Sequence, residues 1–216
     1  MPTLMRKPNT HSHRRAHTHA QILRGSKAGP NEFPWMAMLL YPKGNGQLEP
    51  ACGGSLINQW YVLTAGHCFK GSGNEGKGNP KRVRLGAHYT DPNIYPDPDI
   101  RPNFETDVAQ IKRHEKFFHK SAYRNDIALL RLQMPVRRLG KRKYSVDTQI
   151  CAGGQDGNYT CKGDSGGPLM DTTSPSRVIL AGIISYGSRE CGQKSKASFF
   201  MNTRAYLKWI QEKLTK

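Results

Sequence analysis

The sequence predicts an all-β domain that ends in a helix. Three observations predict it: apolar runs of four to eight residues recur along the chain, Gly, Pro and Asn punctuate them, and helical periodicity is confined to the last dozen residues. The candidate strands are 36–41, 53–57, 61–64, 82–87, 105–112 and 127–132. Each has ordinary strand length, and six strands suffice to close one small antiparallel barrel. Between the fourth and fifth, residues 90–103 hold Pro92, Pro96, Pro98 and Pro102. Proline cannot donate to a ladder, so this stretch is a surface excursion. Beyond residue 132 the segment before Cys151, Pro168–Met170, Val178–Gly187 and Ser198–Asn202 read as strands, too few for a second closed barrel of six. The chain finishes on Leu207, Ile210 and Leu214, at helical spacing after the cap candidates Asn202 and Thr203.

Residues 1–21 differ in kind. They hold His11, His13, His17 and His19 with Arg14 and Arg15 and few apolar side chains, so they read as a disordered leader or prosegment. Imidazoles in such a tract bind Zn²⁺ or Cu²⁺ weakly, but a disordered chain fixes no ligand geometry, and no metal site is assigned. The leader lacks the apolar core of a secretory signal. The longest apolar stretches, such as 35–41 and 178–184, fall well short of the ~20 residues of a spanning helix.

The 216 residues carry a formal charge of +17, with the densest basic cluster at Arg137, Arg138, Lys141, Arg142 and Lys143. Such a surface attracts polyanions of the heparin type, although a solvated basic face with no dedicated partner is the plainer reading. No nucleic-acid fold signature accompanies it.

Three segments carry chemistry: Thr64-Ala65-Gly66-His67-Cys68, Asn125-Asp126-Ile127-Ala128-Leu129-Leu130 and Lys162-Gly163-Asp164-Ser165-Gly166-Gly167-Pro168-Leu169. A serine hydroxyl is a poor nucleophile at neutral pH and needs a base, and that base needs an orienting carboxylate. These segments resemble those of the trypsin/chymotrypsin family of serine endopeptidases, whose triad follows the order His, Asp, Ser. The resemblance runs from Ile22 to the C terminus, and Glu32-Phe33-Pro34-Trp35 with Thr148-Gln149-Ile150-Cys151-Ala152-Gly153-Gly154 is similar to invertebrate clip-type members.

The resemblance implies a chymotrypsin-like double antiparallel β-barrel with a C-terminal helix. It implies His67 as general base, Asp126 as its orienter and Ser165 as nucleophile, with an oxyanion hole from the N–H groups of Gly163 and Ser165. Ser185 would support the aspartate. Disulfides Cys52–Cys68 and Cys161–Cys191 are implied as well, each worth ~3–4 kcal/mol in the chain-entropy model and stable in an extracellular, oxidising compartment. Protein substrates and protease inhibitors are the implied partners, and neither metal nor organic cofactor is required. Zymogen logic implies cleavage before Ile22 and a buried ion pair between its new ammonium group and Asp164. Gln21 and Arg24 depart from the family pattern there, so a trypsin-like activator is not expected to cut.

The substrate pocket would be lined by Tyr159, Thr160, Ser185, Tyr186, Gly187 and Ser198. Trypsin-like members carry an aspartate where this chain has Tyr159, so the electrostatic reason for Arg or Lys specificity is gone. Asn158-Tyr159-Thr160 is also a glycosylation sequon on the same wall. Only 38 residues separate Asp126 from Ser165. The family interval is usually more than twice as long, and Cys151 is left without the partner it would have there. One protease domain is therefore expected over 22–216, with a first barrel at about 36–132, a truncated second at about 143–203 and a helix at about 204–214. The competing expectation is a catalytically impaired homologue that binds proteins or polyanions.

Overall fold

The computed structural model describes residues 3–4, 26–28, 32–69, 78–90, 104–118, 123–136, 163–173, 178–186 and 198–214. Two short strands come first, β1 (Thr3–Leu4) and β2 (Ser26–Lys27), paired antiparallel.

Six strands then close a barrel: β3 (Met36–Pro42), β4 (Leu48–Asn58), β5 (Tyr61–Thr64), β6 (Arg82–Leu85), β7 (Phe104–Arg113) and β8 (Ala128–Leu132). Its order is β3-β4-β5-β8-β7-β6, antiparallel throughout. The apolar core on the two faces of these strands includes Leu39, Leu56, Val62, Leu63, Val83, Leu85, Leu129 and Leu130, all essentially inaccessible. Each such side chain contributes ~1.5–3 kcal/mol on burial. Every residue of β5 is buried, so both of its faces are covered.

A second antiparallel sheet, β9 (Pro168–Asp171), β10 (Ile179–Tyr186) and β11 (Phe199–Asn202), has the order β11-β10-β9. It is open among the described residues, as expected from the shortage of strand candidates. A 3-10 turn at Thr203–Tyr206 leads into α1 (Leu207–Leu214). The Asn202 side chain caps the turn by accepting from the Arg204 N–H at 3.1 Å. Thr203 Oγ1 donates to the Leu180 carbonyl at 2.6 Å, tying the turn to β10. Ile183, Trp209 and Ile210 join the same apolar core as the barrel, which docks sheet and helix on it. The architecture is chymotrypsin-like, with one closed barrel, a second sheet and a short terminal helix.

Candidate active site

β5 and β8 are antiparallel neighbours with Thr64 opposite Ala128. The chain leaving β5 and the chain entering β8 therefore lie at the same end of the barrel. His67 sits three residues beyond Thr64, on a 3-10 turn over Gly66–Cys68, and Asp126 lies two residues before Ala128. The buried Tyr41 hydroxyl donates to the Cys68 carbonyl at 2.7 Å, and the Cys52–Cys68 disulfide joins the turn to β4 across a Cα separation of 6.3 Å. Burial pushes the Tyr41 phenol well above its ordinary range, which keeps it a neutral donor. Gly66 is required by close approach: a Cβ there would lie 3.1 Å from the Phe117 ring and 3.3 Å from Asp126 Oδ1.

Asp126 is fully buried, and three donors surround its carboxylate. The His67 N–H donates to Oδ1 at 2.7 Å, His67 Nδ1 lies 2.7 Å from Oδ2, and the Ser185 hydroxyl donates to Oδ2 as well. A buried carboxylate is tolerated when its lone pairs are met in this way. His67 and Ser185 are buried too. With Nδ1 donating to the carboxylate, Nε2 of a neutral imidazole is the ring's acceptor. The ring also meets Tyr123 edge-on, with centroids 5.6 Å apart.

Ser165 stands on the turn that enters β9. That turn is anchored on one side to β10, where Gly166 donates to the Ile184 carbonyl at 2.8 Å and Ile184 donates to the Gly167 carbonyl at 2.9 Å. On the other side it touches the barrel: the Gly53 N–H donates to the Ser165 carbonyl at 2.8 Å, and Cys68 Sγ is 3.7 Å from the same oxygen. The nucleophile candidate is thereby held against the turn that carries His67. Pro168 pairs with Ile183, so Ser185 and Ser165 lie at one end of the β9–β10 ladder.

Of the residues singled out in the sequence, His67, Asp126 and Ser185 meet through hydrogen bonds at this seam between barrel and second sheet, and the Ser165 carbonyl lies beside Gly53 and Cys68. Gly163 begins the turn with φ 97°, and Asp164 is buried beside it. Ser198 is buried at the start of β11, and Tyr186 ends β10. Ile22, Cys151, Tyr159, Thr160, Cys161, Gly187 and Cys191 lie outside the described residues. The ligand atoms of Cys52, His67 and Cys68 fall within 4.8 Å of one another, but both sulfurs are spent in the disulfide. Among the described residues no helix is long and apolar enough to cross a membrane.

Sequence reasoning gave no role to Gly53, Tyr123, Asn125 or Tyr206. Asn125 alone carried a signal, since asparagine is the non-glycine residue most at home in the left-handed region it occupies, at φ 54°.

The family profile described as Trypsin matches residues 22–142 and 136–210. Serine protease ea of Drosophila melanogaster is 31% identical over an alignment covering 88% of this chain and 67% of the relative. Spaetzle-processing enzyme of the same species is 31% identical, covering 90% and 66%. CLIP domain-containing serine protease B9 of Anopheles gambiae is 29% identical, covering 90% and 63%. The chain spans about two thirds of the length of these relatives. With profile, relatives and fold in agreement, this chain belongs to the trypsin family of serine proteases.

Proposed function

We propose that the chain is a serine endopeptidase that hydrolyses peptide bonds through an acyl-enzyme, with Ser165 as nucleophile, His67 as general base and then acid, and Asp126 as orienter. The observation that carries this reading is the sealed Asp126 carboxylate, which accepts from His67 at 2.7 Å and from Ser185 on the other sheet. In the first step His67 Nε2 takes the Ser165 proton as Oγ attacks the scissile carbonyl. Asp126 fixes the tautomer and stabilises the imidazolium. The Gly163 and Ser165 N–H groups receive the developing oxyanion, each donor being worth ~3–4 kcal/mol in comparable sites. His67 then returns the proton to the leaving amine, and water repeats the sequence on the acyl-enzyme.

The same reading makes residues 22–216 one protease domain, made as a secreted zymogen and activated by cleavage before Ile22, with the new ammonium group paired to Asp164. Tyr159 in place of the family's acidic pocket residue removes the electrostatic reason for Arg or Lys preference, and the +17 charge draws polyanions to the surface. A stretch of the second barrel is omitted between Asp126 and Ser165. Supporting that, the two profile matches overlap at 136–142, and the relatives align over 261 positions or more against a chain of 216 residues.

The test is fluorophosphonate labelling of the full chain and of a form beginning at Ile22, read by intact and peptide mass. Labelling of Ser165 alone, abolished by Ser165→Ala and by His67→Ala, is the expected result. Folded protein that stays unlabelled overturns the catalytic reading in favour of a binding homologue.

A further inference from the structure

We infer that Asn125 and Tyr206 are positioning residues for Asp126: a phenol on the C-terminal helical segment holds the left-handed residue that turns the carboxylate toward His67. The inference rests on the proposed role of Asp126 as orienter.

An aspartate side chain has two torsions, so the direction of its carboxylate is set largely by the backbone that presents it. Here that backbone is a sharp turn. Asn125 lies at φ 54°, and the Ile127 N–H donates back to the Asn125 carbonyl at 2.8 Å, leaving Asp126 at the apex. A left-handed residue that is not glycine persists when its surroundings over-determine it. Both ends of the Asn125 amide are committed: Nδ2 donates to the Lys116 carbonyl at 2.8 Å, and Oδ1 accepts from the Tyr206 hydroxyl at 3.0 Å. The Lys116 N–H in turn donates to His114 Nδ1 at 3.1 Å, and the His114 N–H donates to the Ile127 carbonyl at 3.0 Å. The ring of bonds therefore begins and ends on the two residues flanking Asp126.

Tyr206 is well placed to act as the latch. Burial and the negative charge of Asp126 both raise its phenol above the usual range, so it remains a donor. Its ring meets His114 edge-on at 5.6 Å, and Trp209, one turn later, lies 5.1 Å from the same imidazole. Trp209 Nε1 donates to Glu115 at 2.9 Å, and Lys112 Nζ donates to the Lys213 carbonyl at 2.8 Å, so the helix is fastened along its length to the segment 112–115. At its other end the same 3-10 turn is bonded through Thr203 to β10, the strand that carries Ser185. The terminal segment thus touches both of the chain stretches that supply partners to the Asp126 site.

Tyr206→Phe tests this, because it keeps the ring and its packing on His114 and removes the donor alone. Two readouts are taken on the chain cleaved before Ile22: the labelling rate of Ser165, and the ¹H–¹⁵N NMR resonance of the His67 Nδ1 proton bonded to Asp126. A less well aimed carboxylate lengthens the His67 Nδ1–Asp126 bond, so the resonance of that bonded proton is expected to move upfield. The labelling rate is expected to fall about tenfold, in keeping with a displacement of a fraction of an ångström. Asn125→Gly, which keeps the left-handed backbone and deletes both amide bonds, is expected to act in the same direction. Glu115→Gln, which loosens the helix elsewhere, is expected to lower the melting temperature without moving the His67 Nδ1 proton resonance. An unchanged His67 Nδ1 proton resonance in Tyr206→Phe overturns the inference. Absence of labelling in the unsubstituted chain overturns the catalytic reading instead, and the NMR comparison still decides the positioning role.

Discussion

Gly166→Ala separates two effects that usually travel together, backbone strain and steric exclusion. Gly166 lies at φ 78°, where an L-residue costs ~1–2 kcal/mol. A Cβ built there would sit 2.1 Å from Thr64 Oγ1, 2.5 Å from the Gly53 carbonyl oxygen and 3.1 Å from the Ala65 nitrogen. Two of those atoms are backbone, so the neighbours cannot simply rotate away. Overpacking of this kind costs ~1–3 kcal/mol, and the Thr64–Gly53 hydrogen bond at 2.7 Å, worth about 1 kcal/mol, is displaced with it. A loss of about 3–6 kcal/mol follows, or a fall in Tm of roughly 6–24 °C for a domain of this size. Relief comes from moving the Ser165 turn off the barrel, and a shift of ~1 Å lowers the rate ~100-fold. Gly86, at φ 73° with nothing within 4 Å of its virtual Cβ, isolates the strain. Gly44, in open space without a positive φ, isolates the chain-entropy gain of ~0.4–1 kcal/mol. Differential scanning calorimetry and fluorophosphonate labelling of the three alanine variants read both quantities. If Gly166→Ala melts and labels like Gly86→Ala, the packing of the Ser165 turn on Thr64 and Gly53 is refuted.

The remaining predictions concern the barrel and its helix. Among the described residues the Tyr61 hydroxyl is buried without a hydrogen-bond partner, so Tyr61→Phe is expected to leave Tm unchanged or raise it by a few degrees; a clear fall contradicts this. Replacing both Cys52 and Cys68 by Ala opens a link between residues 16 apart and is expected to cost ~3 kcal/mol, measured by urea unfolding with and without reductant. The Lys213 ammonium, a bond to its own backbone and Trp209 Nε1 lower the Glu115 carboxyl from 4.5 to about 2. Its contribution is therefore complete above pH 4.5 and is lost as the pH falls toward 2. Exposure limits that contribution to ~1 kcal/mol, so Glu115→Gln should melt about 2–4 °C lower at pH 7, with the gap closing at about pH 2.

The barrel was legible because its strands are apolar runs bounded by turn residues, and the six candidates correspond to β3–β8. The boundaries that moved did so for local reasons. β4 begins at Leu48 rather than residue 53 because Glu49 and Pro50 disguise it; Pro50 is accommodated where the β3–β4 register shifts next to Leu40. β6 stops at Leu85 because Gly86 turns the chain at positive φ. At the site, the segments holding His67, Asp126 and Ser165 stood out because their residue types suit the base, orienter and nucleophile of the proposed reaction. Asn125 and Tyr206 were not, since they lie 81 positions apart and meet only once the helix docks. Gly53 contributes an N–H, which every residue but proline possesses and which no sequence pattern can mark.

The junction between barrel and second sheet has a consequence for inheritance. The Gly53 N–H crosses it to the Ser165 carbonyl, and behind it the Gly166 and Ile184 N–H groups bind the Ser165 turn to β10 through the carbonyls of Ile184 and Gly167. Main-chain groups survive nearly every substitution, so codons can drift across both halves without erasing the joint. Selection is left guarding the few sites where a Cβ cannot enter or where an oxygen must meet Asp126.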